Sequence, residues 1–287
     1  MVRTFSLGRE DEREKPEQPD LFSSGNSVLS RPHGTEIKSS GINSFDTSAI
    51  ATLKDAELIE RLPISRMSEC RDLCHEIQLR RLGDSAVPAL RDLWRNFVGF
   101  SHDGPIMEQR YALETLSKIN SSMAREVLTE MSESVIPRAL LPLVMTAIAA
   151  ARASVSKKRV FEWMYDDRGG VRELAYKIAV FCLPPLSVSQ IECGLMDPDL
   201  RVQRACRISI ALMGDNRVKD ALLAELGHNP KLAVILALIE ILDDDIITHL
   251  RRCAIKHASF RAPIIDGLAS DDSERAIRVS ELLRNLL

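Results

Sequence analysis

Cys70 and Cys74 stand four residues apart, one helical turn, with His75 beside them, a spacing that could bring two thiolates and an imidazole to a metal ion. A closed structural site takes about four ligands, and the other cysteines, Cys182, Cys193, Cys206 and Cys253, fall singly in apolar helical patterns where a small residue belongs. Core packing is the simpler account of all six, and no metal or other cofactor is expected. The sequence carries no Gly-rich phosphate loop, Gly-x-Ser-x-Gly elbow or His-Glu-x-x-His pair, and Gly169-Gly170 opens a helical pattern. The acidic runs Asp166-Asp167, Asp243-Asp244-Asp245 and Asp271-Asp272 lie at turns, where carboxylates cap helices and complement their dipoles. No residue is singled out as catalytic, and the chain is expected not to be an enzyme.

Positive charge recurs more regularly. Arg91 and Arg95, Lys157, Lys158 and Arg159, Arg217 with Lys219, and Arg251, Arg252 with Lys256 sit in successive helical segments. Lining one groove, they could contact phosphates or an acidic protein. Glu126, Glu130, Glu162, Asp220 and Glu225 are interleaved among them, so a solvated surface of mixed sign is the plainer account. A formal net charge of -3 provides no global field to gather nucleic acid, which remains a possible but unfavoured partner.

The elements that would carry these residues are helices. Hydrophobic residues make up 45% of the chain but aromatics only 5%, the balance of helix-on-helix packing rather than of a β-sandwich. The opening residues lack the apolar region of a signal peptide, so reduced thiols and a cytoplasmic location are expected. The longest apolar run, 135–151, is interrupted by Pro137, Arg138 and Pro142, falls short of a bilayer span and reads as a buried helix. Residues 1–46 mix charges and serines with Pro16, Pro19, Pro32 and four glycines and show no period, which predicts a disordered tail. Helical spacing begins near Ser44, and a folded domain is expected over 47–287.

An internal repeat organises that domain. DDRGGVRELA (166–175) aligns with DPDLRVQRAC (197–206) at an offset of 31, setting Val171 over Val202. The same step reaches Ala233 and Ile264 going forward, and Leu140 and Gln109 going back, without an insertion. A breaker splits each period: Asn120-Ser121-Ser122, Ser154, Pro184-Pro185, Gly214-Asp215-Asn216, Asp243 and Asp271. Six antiparallel helix pairs follow, helices only, with a looser pair ahead of them over 68–97.

These openings, Asp-Pro-Asp-x-x-Val at 197 and Asp-x-x-x-x-Val-Arg at 166, resemble the HEAT repeat, most of all its short bacterial form in the phycobilisome lyase-like group. The resemblance covers about residues 65–287 and implies an all-α, right-handed α-solenoid of two-helix repeats. It further implies that the second helix of each pair faces a concave groove and that the chain is a scaffold or adaptor for a protein partner. The Arg slot is kept at Arg110 and Arg172 but becomes Leu141, Gln203, Val234 and Ile265, so a continuous Asp–Arg ladder is not expected.

Two other resemblances imply alternatives. Alkylpurine DNA glycosylases of HEAT-like build use Trp, Asp and Arg in the groove, and Trp163 and Asp167 stand at i, i+4; base stacking would need that Trp exposed. In the tail, Gln18-Pro19-Asp20-Leu21-Phe22 is similar to the bacterial sliding-clamp-binding pentapeptide in four of its five slots. Gln18, Asp20, Leu21 and Phe22 would make that contact, and the chain would then be a replication or repair accessory tethered to the clamp.

Overall fold

The computed structural model describes residues 47–96 and 107–285 of the 287-residue chain. Packing divides the chain into Met1–Ser44 and Phe45–Leu287. The first unit, with the expected tail and its Gln18–Phe22 motif, lies outside the described residues.

The described part of the second unit is all-α but for one short ladder. Its opening helices are α1 (Thr47–Ala51), α2 (Asp55–Arg61), α3 (Met67–Leu79) and α4 (Val87–Asn96), followed by α5 (Met107–Leu116), α6 (Ser122–Glu133), α7 (Leu141–Ala151) and α8 (Lys157–Met164). Then come α9 (Gly169–Ile178), α10 (Val188–Ile191), α11 (Leu200–Leu212), α12 (Lys219–His228), α13 (Leu232–Glu240), α14 (Asp244–Lys256), α15 (Arg261–Ala269) and α16 (Glu274–Arg284). Breaker residues cap two of them, α6 and α14, and Ser273, just past Asp271, caps α16. Ser121 Oγ accepts from the Ala124 amide at 3.1 Å, Asp243 from those of Asp245 and Ile246 at 3.1 and 2.9 Å, and Ser273 from that of Ala276 at 3.2 Å.

Buried positions recur with the helices. Gln109, Leu140, Val171 and Val202 are each at most 1% exposed and follow one another at 31 residues. The expected next member, Ala233, is exposed; Val234 takes the buried place instead, and Ile264 follows it. The step is therefore 32 and then 30 residues, and the uninterrupted register is corrected there. The buried pairs Ala205/Ala237 and Cys206/Leu238 carry the same shift. Lys231-Leu232-Ala233 opens α13 one residue later than the preceding step would place it, and an alanine tolerates either environment.

Each of α3, α5, α7, α9, α11 and α13 packs against the next odd-numbered helix, ending at α15. The helices α4, α6, α8, α12 and α14 each pack against the helix that follows them, and α4 with α6, α12 with α14, and α14 with α16 also touch. One hydrophobic core runs through all of this from Ile50 to Leu283.

Three expectations need correction. Helices only were expected, but β1 (Val155–Ser156) and β2 (Cys182–Leu183) pair in parallel, Val155 opposite Cys182 and Ser156 opposite Leu183. Both segments are extended links between helices, lying side by side and running the same way, and pairing satisfies backbone groups left outside the helices. The segment 187–195, expected as the second helix of its pair, holds only the single turn α10 before a 3-10 stretch, Glu192–Met196. Pro184 and Pro185 shorten the chain available to it, and Gly194 lies under the Tyr176 ring, which would stand 2.4 Å from an added Cβ. Lastly, the apolar run 135–151 is helical only from Leu141, and Val135 is 81% exposed.

Candidate functional site

Half of the basic candidates are matched by carboxylates: Arg95, Lys158, Arg159, Arg217 and Lys219. Arg95 on α4 donates to Glu130 on α6 at 3.0 Å. At the start of α8, Lys157 Nζ lies 5.8 Å from the Phe161 ring centre, Lys158 is 3.9 Å from Glu162, and Arg159 binds Glu162 at 2.9 Å. Arg159 also reaches the Glu133 and Ser134 carbonyls at 2.9 and 3.1 Å. Arg217 joins Asp215 at 3.0 Å and Glu192 at 2.8 Å, while Lys219 joins Asp243 at 2.6 Å and Asp245 at 3.2 Å. Arg91 is half-buried with its Nε unpartnered.

Arg251, Arg252 and Lys256 differ. All three are exposed on α14, and among the described residues none has a carboxylate within 4.0 Å or a side-chain hydrogen bond. Arg252 and Lys256 line a crevice of 150 Å³ with Leu226 and Gly227 of α12, His249 of α14 and His257 just beyond it. The histidines escaped notice in the sequence; their signal is spacing, since His249 precedes Arg252 by three residues and so shares its helix face.

A larger concavity of 690 Å³ opens where α3 and α5 end, bounded by Gln78, Arg81, Asp84, Lys118 and Asn120. Lys118 Nζ donates there to Gln78 Oε1 at 2.7 Å.

The possible ligand spacing at Cys70 and Cys74 resolves into packing. Both thiols are buried, whereas His75 is exposed. Their mutual hydrogen bond holds Cys70 below its usual pKa; the same bond, then burial, pushes Cys74 above its own. No group of three or more His, Cys, Asp or Glu that could hold a metal is found among the described residues. Cys193, expected in the core, is exposed, with Sγ 3.4 Å from the Tyr176 hydroxyl, because its segment is a 3-10 stretch rather than a helix with an inward face. Cys206 is buried, and desolvation raises its pKa to about 12.

Trp163 is 5% exposed and packs in the core, so its ring offers no face to a flipped base. Asp167 faces Arg138, whose Nη2 lies 3.1 and 2.8 Å from its two oxygens. Beside it stands a rung of half-buried polar contacts: Arg172 binds both oxygens of Asp197 at 2.8 and 3.0 Å and donates to the Asp166 carbonyl at 2.9 Å. At the following step Gln203 donates to the Asp197 carbonyl at 2.8 Å, the same contact without the charge. The side-chain hydrogen bond from Arg168 holds Asp166 down to about 2, and Arg172 likewise lowers Asp197. Gln18, Asp20, Leu21 and Phe22 lie outside the described residues. No helix among the described residues is long and apolar enough to cross a membrane.

No protein-family model matches the chain, and no curated protein matches it. Among solved structures, the X-ray structure of the Escherichia coli protein YibA is similar at 17% identity with a TM-score of 0.40, over 87% of this chain and 99% of that one. A likeness of that degree assigns neither an activity nor a partner.

Proposed function

We propose that residues 47–287 form a right-handed α-solenoid of HEAT-like helix pairs, a cytoplasmic scaffold or adaptor that holds a protein partner and carries no chemistry of its own. The observation behind this reading is the order of packing, in which each odd-numbered helix from α3 to α13 lies against the next. A helix pair cannot bury its apolar face alone, so neighbours must stack, and stacked pairs present long surfaces suited to a partner. The buried positions at steps of 30 to 32 residues support it from the sequence side. Burial of Trp163 removes the aromatic that a glycosylase reading would need.

Affinity capture from the native host, with the full chain as bait and nuclease present, tests the proposal. One polypeptide retained in stoichiometric amount is expected. Capture that nuclease abolishes, or release of a methylated purine base by the purified protein, overturns it.

A second reading rests on the Gln18–Phe22 sequence, in which Leu21 and Phe22 would enter an apolar pocket of the sliding clamp. Calorimetry of the tail peptide with the host's clamp should then show micromolar binding that Leu21→Ala with Phe22→Ala removes. No heat from the intact peptide ends it.

A further inference from the structure

We infer that the crevice between α12 and α14 is the docking point for an acidic segment of a protein partner that also carries an apolar side chain; this rests on the partner-binding reading above. Elsewhere the basic candidates are largely offset within the chain, Arg95 by Glu130, Lys158 and Arg159 by Glu162, and Arg217 by Asp215 and Glu192. On α14 they are not. Arg252 and Lys256 are like charges at i, i+4, an arrangement that disfavours a helix, and Arg251 adjoins them. The dipole of α14 favours Lys256 in its last turn, but it acts little on arginines a turn earlier. No carboxylate lines the crevice; Asp245, 3.3 Å from His249, is shared with Lys219 at 3.2 Å.

Size and surroundings choose the occupant. The crevice holds 150 Å³, well below the roughly 300–1,000 Å³ of small-molecule pockets and suited to one or two carboxylates. Nucleic acid would ask for a longer track of about 6–10 phosphate contacts, and most of the basic candidates outside α14 are already matched to carboxylates. Ile255, 51% exposed, lies one turn beyond Arg251 on the same helix face, and Leu226 forms an apolar wall. Carboxylates would meet Arg252 and Lys256 while an apolar side chain covers Ile255.

Calorimetry of the full chain with a Glu-rich peptide bearing one Leu, and with its Gln-for-Glu counterpart, reads this directly. The acidic peptide should bind at least about tenfold more tightly than the neutral one. Arg252→Glu with Lys256→Glu should abolish that preference. Arg95→Glu with Lys158→Glu, which changes net charge equally, should keep it. Arg252→Gln with Lys256→Gln serves if thermal unfolding shows the reversal variant misfolded. Equal binding of the two peptides, or loss of preference in both double variants, overturns the inference. So does a single-stranded oligonucleotide that binds more tightly than the acidic peptide with a steep salt dependence. If the crevice variants still capture the host partner, the scaffold reading stands and only this docking point fails.

Discussion

At the scale of single residues, Val202 and Ala233 make a decisive pair. Both occupy one apolar slot at a step of 31, yet Val202 is fully buried and Ala233 is exposed. Val202→Asp should cost about 3–5 kcal/mol in urea unfolding, the penalty of an uncompensated buried charge, whereas Ala233→Asp should stay within about 0.5 kcal/mol. Equal losses would reject the burial shift. Alanine's indifference to either environment is why the sequence did not reveal it. The Arg172–Asp197 pair supplies a pH test, its side chains being only 16% and 10% exposed. Arg172→Met should cost about 1–3 kcal/mol at neutral pH. Because Arg172 lowers the folded-state pKa of Asp197 below 3.8, the stabilisation is present above that value and fades as pH falls below it. The gap between wild type and variant should therefore close in acid, and a gap unchanged down to pH ~2 would refute the linkage. The burial of Trp163, Cys70 and Cys74 was legible from helical spacing, but the exposure of Cys193 was not, since periodicity alone does not report that a segment has collapsed to 3-10 geometry.

At the scale of elements, turn chemistry was the most readable feature, because a carboxylate or hydroxyl at a helix start has a definite task. Asp243 caps α14 through two amides and also holds Lys219, so Asp243→Ala should lower stability by about 1–2 kcal/mol in thermal or urea unfolding. Ser121→Ala, which removes a single amide bond, should cost about 1 kcal/mol or less. An equal or smaller loss for Asp243→Ala would contradict the double cap. The pairing of β1 with β2 had no such signal. Two residues are too few for an alternation pattern, and their partnership depends on which links lie side by side, a property of packing. The unmatched charge on α14 was hidden for a related reason: the interleaving of Glu and Asp with Lys and Arg is visible in sequence, but which carboxylate reaches which cation is not.

At the scale of the whole unit, the packing order implies that stability is divided among neighbours. Removing Arg261–Leu287 takes away α15 and α16, which pack chiefly on α13 and α14. In a stacked array the remainder should keep its helical circular dichroism and unfold cooperatively at a lower temperature. A truncated protein without a thermal transition would argue for one indivisible core instead. The helical class was legible because apolar residues recur at helical spacing along the chain. Individual cavities, such as the 690 Å³ concavity beside Lys118, were not, because they arise where two links fail to fill the space between them.

The shift from 31 to 32 residues before α13 also sets rules for cutting and splicing the gene. Deleting 172–202 joins Val171 to Gln203 and leaves every later buried position on its original helix face. Deleting 203–234 joins Val202 to Ile235 with the same result. Stopping that second excision one codon short, at 233, turns the downstream part of the fused helix by about 100°, carrying Ala237 and Leu238 away from the core. A seam in this chain is thus placed by burial, and a ruler of constant length would misplace it.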